Sequence, residues 1–340
     1  MNSGLTGKGD SPGGWNQESP VISFIADKNF EIPLTAALCS AAVNLDRNCS
    51  LTVFVVDGGI SDGGKGKIAR TATDLGVTLN WIRPTSAQAD KIKTFPVGYV
   101  GRACYYKLFI PEILGKAYPR IIYLDCDAVV EGDLSELWNA KMDDFYLLAV
   151  QDLINPFVSS PFGLRNWQEL GRAESDGLFN SGLLVFNTRK WVEEDVSSRL
   201  ANWLKSNYYN VRLCDQDAMN AVLGNKWGRL DLSWNVLPRM QLARNYFLLE
   251  KEDHEKLLNN ASLLHFCGPD KPWNVHCRHP HGDRFFHYLD MTSWEGWRPK
   301  SKIFDPLLVI YYWRRVTVLL RRVTRTCRDA VNSRKSQPVS

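Results

Sequence analysis

Two aspartates, Asp125 and Asp127, flank Cys126 at the end of the apolar run Ile121-Ile122-Tyr123-Leu124. Side chains two apart on a strand point to the same side, so both carboxylates emerge together where the run ends. The run reads as a buried strand, and in an open α/β sheet the C-terminal edge of the strands is where ligands bind. Convergent carboxylates repel each other unless something positive sits between them. A hard divalent cation answers that need, with a phosphate-bearing ligand completing its shell. Asp-x-Asp is also short and frequent, so a pair of solvated turn aspartates is the plainer alternative.

The densest further cluster is His265-Phe266-Cys267-Gly268-Pro269-Asp270-Lys271-Pro272-Trp273. It follows the apolar stretch 261–264, which places His265 at a strand end, where a neutral imidazole can serve as a third metal ligand. Gly268 permits close backbone approach and Lys271 carries a phosphate-seeking charge; a surface histidine and a solvated lysine are the bland alternative. Asp215-Gln216-Asp217 opens a helix. Its acids suit the positive helix end, and Gln216 between them offers an amide to a hydroxyl-rich substrate. Asn180-Ser181-Gly182 reads as a small-residue turn before a strand at 183–186. Gly64-x-Gly66-x-x-Ala69 formally matches a dinucleotide fingerprint, but six residues separate it from the strand end at Asp57, which favours a surface loop. His276, Cys277, His279 and His281 lie close together but match no standard zinc spacing.

The elements that must position these groups alternate. The pattern predicts strands at 21–26, 51–56, 77–82, 121–124, 147–150 and 183–186, and helices at 34–44, 65–75, 104–114, 196–207 and 216–223. Such alternation argues for a mainly parallel α/β sheet covered on both faces. Residues 1–20 are polar and read as a flexible leader, 21–295 as one domain, and 296–340 as a basic tail. Eight scattered cysteines favour a reducing compartment, and no run approaches the length needed to span a bilayer, so a cytoplasmic location is expected. The chain has 340 residues and a net charge of +4, yet from Arg298 onward it carries eleven Lys/Arg against two aspartates, leaving a mildly acidic body. Residues 307–328 read as an amphipathic helix, with Arg314, Arg315, Arg321, Arg322, Arg325 and Arg328 on one side. Trp313, Val316, Leu319, Leu320, Val323 and Cys327 lie on the other. This suits an anionic membrane surface, or packing onto the domain. So apolar an opposite face disfavours nucleic acid.

Taken in order, Phe24-Ile25-Ala26-Asp27-Lys28-Asn29, Tyr123-Leu124-Asp125-Cys126-Asp127, Phe179-Asn180-Ser181-Gly182, Asp215-Gln216-Asp217 and His265-Phe266-Cys267-Gly268 with Lys271-Pro272-Trp273 resemble glycosyltransferase family 8. Within it they are similar to the bacterial lipopolysaccharide and lipooligosaccharide galactosyl- and glucosyltransferases. The resemblance runs collinearly over about residues 21–295. It implies a GT-A (Rossmann-like) fold, a UDP-sugar donor, Mn²⁺ (Mg²⁺ as the alternative) and transfer with retention of configuration. By position, Asp125, Asp127 and His265 would hold the metal. Ala26, Asp27, Asn29, Lys107, Asp125, Cys126, Asp127, Asn180, Asp215, Gln216, Gly268 and Lys271 would line the donor site. Lys107 stands where the family usually has arginine, which keeps the charge and loses the bidentate fork. Cys126 is expected to turn its side chain away from the metal.

The resemblance implies a retaining hexosyltransferase acting on a lipid-linked glycan at the inner membrane face, as a peripheral membrane protein. Gln216, Asp217 and Asp152 are the candidate catalytic residues. Front-face transfer with Gln216 stabilising an oxocarbenium-like state is favoured over a covalent intermediate on Asp217 or Asp152. A non-catalytic nucleotide-sugar or lipid-binding protein is the first rival, and a nicotinamide oxidoreductase using the Gly64 loop the second.

Overall fold

A computed structural model of the protein describes residues 19–96, 102–115, 117–238, 249–268, 271–275, 277, 279 and 281–300. The expected leader (to residue 18), His276 and most of the basic tail, including 307–328, lie outside the described residues. Contacts divide the chain into two units, Met1–Trp297 and Arg298–Ser340, and the first carries everything below. None of the described helices is long and apolar enough to cross a membrane.

The first half alternates β1 (Val21–Ala26), α1 (Glu31–Val43), β2 (Thr52–Asp57), α2 (Asp62–Asp74), β3 (Thr78–Ile82) and α3 (Ser86–Lys93). A 3-10 helix over Ala103–Phe109 runs into α4 (Ile110–Leu114), followed by β4 (Arg120–Leu124), β5 (Ala128–Val130) and α5 (Leu134–Asn139). Then come β6 (Leu147–Gln151), β7 (Phe179–Asn187), α6 (Thr188–Glu193), α7 (Val196–Ser206), α8 (Asp215–Leu223) and β8 (Trp227–Arg229). A 3-10 turn at Leu232–Asn235, α9 (Lys251–Asn259), β9 (Leu263–His265) and α10 (Gly282–Leu289) complete the unit.

Seven strands form one sheet in the order β3-β2-β1-β4-β7-β6-β8. β1 to β4 run parallel, β7 runs antiparallel to both neighbours, and β8 is parallel to β6. The sheet is therefore mixed and mainly parallel, as the alternation predicts. All six residues of β1 are buried, because a central parallel strand is covered on both faces. The strand order reverses between β1 and β4, and that switch point opens a crevice at the C-terminal strand ends. Asp27 lies at the end of β1 and Asp125 at the end of β4.

Three expectations change. The helix read over 104–114 is split, because Pro111 supplies no N–H and its ring crowds the preceding turn; the α-helical part begins only at Ile110. Asn180-Ser181-Gly182 lies inside β7, not in a turn before it. Polar residues pass there as a buried strand because other side chains satisfy them, as described below. The Gly64 stretch is also no loop. Gly63, Gly64 and Gly66 belong to α2, whose cap Ser61 accepts the Gly64 N–H at 3.0 Å. The Glu31 carboxylate accepts the Ser61 N–H at 2.6 Å and lies where a Cβ on Gly64 would sit. An anion already occupies the ground that a dinucleotide phosphate would need.

Candidate active site

The site is assembled at the β1/β4 switch point by a second, two-stranded sheet. After Asp127 the chain enters β5, which pairs antiparallel with β9, setting Ala128 opposite His265. The Phe266 N–H donates to the Asp127 carbonyl at 2.8 Å. This ribbon carries His265 to the two aspartates. His265 Nε2 is 3.2 Å from Asp127 Oδ1 and 3.8 Å from Asp125 Oδ2. One ligand atom from each of the three residues lies within 4.8 Å of the others. Two carboxylate oxygens and one imidazole nitrogen converging on one point are the donor set of a hard or borderline divalent cation.

The remaining carboxylate oxygens face basic groups. Asp125 Oδ1 accepts the Tyr123 hydroxyl at 2.6 Å and faces the Lys107 ammonium at 3.3 Å. Lys107 is only 2% exposed and also reaches Asp215 Oδ2 at 2.9 Å and the Ser181 carbonyl at 2.9 Å. Burial works against its charge, yet Asp125 and Asp215 outweigh it and hold the ammonium above its usual range. The side chain expected to contact the donor is thus turned inward, with its N–H groups on protein acceptors. Asp127 Oδ2 pairs with Lys271, which also donates to the Phe266 carbonyl at 2.8 Å. Burial would raise the Asp127 carboxyl, but Lys271 and His265 hold it below its usual range. The Cys126 thiol donates to the Ile25 carbonyl at 3.1 Å, pointing into the fold as expected.

The donor-sugar candidates form one connected network. Asp152 Oδ1 accepts the Ile154 and Asn155 N–H groups, both at 2.8 Å. Asp152 Oδ2 accepts the Gln216 amide at 3.0 Å and the Asn180 amide at 3.3 Å. Gln216 Oε1 in turn accepts the Ser181 N–H at 3.1 Å. Asp215, Gln216 and Asp217 sit at the start of α8 after Cys214, whose φ of 51° is in the region that favours glycine. Asp27 Oδ1 accepts the Asn29 N–H at 2.8 Å beyond Ala26. Gly268 has φ 95° with open space around it. That backbone conformation strains any side chain, and the open space leaves the main chain uncovered there. His279 packs edge-on against Phe266 at 4.9 Å; among the described residues, the trio whose ligand atoms converge closely enough to hold a metal ion is Asp125, Asp127 and His265.

Asn235 is a site residue that the sequence gives no reason to single out. It sits in Ser233-Trp234-Asn235-Val236, between apolar residues and outside every motif. Its carboxamide oxygen lies 2.9 Å from His265 Nδ1, and its amide donates to Asn180 Oδ1 at 3.0 Å.

Asp217 Oδ2 accepts the Arg212 and Leu213 N–H groups at 2.6 and 2.8 Å. Burial pushes its carboxyl up to about 6, against the pull of those N–H groups. A group that binds its proton more tightly when folded stabilises the fold fully below its unfolded pKa, and the contribution is lost as pH rises through the folded one. Asp217→Asn is therefore expected to stabilise the protein above about pH 6, by at most about 3 kcal/mol. Urea unfolding across that range checks this; equal stability of the two proteins at pH 7.5 contradicts it.

The model of glycosyl transferase family 8 matches residues 21–277, the span that carries the sheet, both aspartates and His265. This chain belongs to glycosyltransferase family 8. General stress protein A of Bacillus subtilis is 28% identical over 279 residues, covering 80% of this chain and 94% of that protein. The lipopolysaccharide 1,2-glucosyltransferase of Escherichia coli K12 is 26% identical over 286 residues, covering 82% and 80%. The crystal structure of galactosyltransferase LgtC in complex with donor and acceptor sugar analogs superposes with a TM-score of 0.67 at 24% identity, covering 80% of this chain and 96% of that one. The architecture is the GT-A fold.

Proposed function

We propose that the chain is a retaining hexosyltransferase that moves galactose or glucose from a UDP-sugar to a lipid-linked glycan of the lipopolysaccharide type. The observation that carries this reading is the convergence of Asp125, Asp127 and His265, from distant parts of the chain, beside Lys271 at the sheet's switch point. Family membership and relatives such as the lipopolysaccharide glucosyltransferase support it. Asp125, Asp127 and His265 would hold Mn²⁺ or Mg²⁺, and the bound cation supplies Lewis-acid charge to a diphosphate.

The chain's own residues then divide the work. Ala26, Asp27 and Asn29 at the end of β1 receive the uridine portion. The bare backbone at Gly268 admits the diphosphate, and Lys271, at present paired with Asp127, stabilises the charge that grows as the sugar–phosphate bond breaks. Asp215 and Gln216 line the sugar side. Front-face transfer is favoured over a covalent intermediate, because both candidate nucleophiles are already committed. Asp152 is held by two backbone N–H groups and two amides, and Asp217 by two backbone N–H groups. Attack by either would break those bonds. Gln216, fixed by Ser181 and Asp152, is the group that faces the developing positive charge. Trapping a glycosyl adduct on Asp217 or Asp152 would reverse this.

A rim suited to an acceptor adjoins Asp152. Phe162, 60% exposed, donates its N–H to Asn155, and Arg212 donates to the Pro161 carbonyl. Arg165 donates to the carbonyl of Tyr209, which is 86% exposed. Exposed rings beside guanidinium groups suit a glycan that carries anionic substituents. The tail is the membrane anchor in this reading, which puts the enzyme on the inner membrane face.

The test is donor hydrolysis across a panel of UDP-sugars, with Mn²⁺ or with chelator, followed by transfer to a lipid-linked acceptor in anionic vesicles. One UDP-hexose should be hydrolysed in a metal-dependent way, and a chain ending at residue 299 should keep hydrolysis but lose vesicle binding. Stoichiometric UDP binding without turnover would favour a nucleotide-sugar-binding protein. NAD binding would favour an oxidoreductase, although Glu31 occupies the place that its phosphate would take. Retained vesicle binding would remove the tail as anchor.

A further inference from the structure

We propose that Asn235 is a positioning residue that fixes the proton of His265 on Nδ1, and that its orientation is dictated from the other half of the site by Asp152. The proposal rests on the metal reading above only for its effect on cation affinity. The proton direction follows from donors and acceptors alone.

Asp152 is the end of the line. Its Oδ1 is saturated by the Ile154 and Asn155 N–H groups, so the carboxyl is held as an acceptor. Asn180 must then present its NH₂ to Asp152 Oδ2, which turns Asn180 Oδ1 the other way. The Gly182 N–H, donating to Asn180 Oδ1 at 2.9 Å, fixes the same orientation independently. Asn180 Oδ1 accepts, so Asn235 presents its NH₂ there at 3.0 Å. Asn235 Oδ1 is left facing His265 Nδ1 at 2.9 Å, and an oxygen with no hydrogen requires that Nδ1 carry one. Nε2, which faces the Asp125 and Asp127 oxygens, is thereby the nitrogen left to give up its proton when a cation takes its place between them. Which ring nitrogen of a neutral histidine carries the proton is set by the partner of the other, and here that partner is Asn235.

Two consequences follow. Asn235, 2% exposed, touches no reacting atom yet sets how well His265 serves as a ligand. Asp152, a residue of the sugar side, acts on the metal side through two amides. Outer partners of ligating histidines are worth about 10–100-fold in metal affinity.

The experiment has two arms. In metal-free protein labelled with ¹⁵N-histidine, His265 Nδ1 should appear protonated, with slow proton exchange. Mn²⁺ titration followed by electron paramagnetic resonance should then show affinity reduced about 10–100-fold in Asn235→Ala. Asn235→Asp keeps an acceptor for Nδ1–H but sets an oxygen against Asn180 Oδ1, so it should keep Nδ1 protonated and bind Mn²⁺ more tightly than Asn235→Ala, which a purely structural role would not predict. Asp152→Asn loosens Asn180 while the Gly182 N–H still holds its orientation, so it should weaken Mn²⁺ by less than Asn235→Ala. An unprotonated Nδ1 in the wild type, or Mn²⁺ affinity in folded Asn235→Ala within twofold of wild type, overturns the proposal. Absence of Mn²⁺ binding by the wild type would sink the metal reading instead, while the Nδ1 signal still decides the proton's place.

Discussion

Asp127→Ala is expected to abolish metal-dependent donor hydrolysis, a loss of three orders of magnitude or roughly more, while leaving the fold intact. Its carboxylate is one of three convergent ligand groups, and its remaining partner is the Lys271 ammonium. When the aspartate is removed, Lys271 keeps the Phe266 carbonyl and can turn its charge toward the crevice. Asp125→Ala should lose activity equally and stability as well. Asp125 accepts the Tyr123 hydroxyl and shares buried Lys107 with Asp215. Losing it strands a hydroxyl and part of an ammonium, at about 1–3 kcal/mol for the unsatisfied groups. Activity assays with Mn²⁺ and urea unfolding of both variants separate the two effects. Full hydrolysis by either variant, or by the wild type in chelator, would end the metal assignment.

Gly182→Ala is expected to be the most damaging single-methyl change in the site. A Cβ there would lie 2.3 Å from His265 Cε1, 2.6 Å from Nδ1 and 3.0 Å from Asn180 Oδ1. The backbone is held on the β4 side, where Leu183 pairs with Leu124 and the Gly182 carbonyl accepts the Asp125 N–H at 2.8 Å. The His265 backbone is equally fixed, by β5 and by the Val236 carbonyl. The ring has to rotate away, breaking its bond to Asn235. Overpacking of this kind costs about 1–3 kcal/mol, and the lost ligand orientation should lower Mn²⁺ affinity by at least about tenfold. Gly66→Ala is the matched control. Gly66 lies inside α2 with open space around it, where alanine stabilises a helix by about 0.5–1 kcal/mol. Calorimetric Mn²⁺ titration and thermal unfolding of the pair check this. Wild-type Mn²⁺ affinity in Gly182→Ala would show that the ring accommodates the methyl group and refute the argument.

Much of the fold was legible. The apolar runs 21–26 and 121–124 mark strands because a central parallel strand is buried on both faces and so reads as a nearly continuous apolar stretch. Asp125 and Asp127 stood out because a two-residue spacing at the end of such a run leaves few directions for their carboxylates. Local rules failed where tertiary partners changed the meaning of a residue. Asn180-Ser181-Gly182 looks like a turn, yet Asp152, Asn235, Gln216 and Lys107 satisfy those polar groups inside a strand. The glycines of α2 read as a surface loop, yet Ser61 and Glu31 cap a helix there. Lys107, placed in the donor site by position, is held by the carboxylates of Asp125 and Asp215, partners that no local rule foresees.

By itself, the sequence determined the alternating α/β architecture, the strand ends at which chemistry can occur, and the residue types able to bind a cation and a diphosphate. Those properties follow from periodicity and side-chain chemistry, which act over a few residues. Only the tertiary structure decided that β5 and β9 pair so as to set His265 beside Asp127. It also decided that Asn235 lies behind that histidine and that Asp152 is joined to it through two amides. Hydrogen bonds between residues far apart in the chain leave no periodic trace, because each depends on where the strands have already brought the backbone.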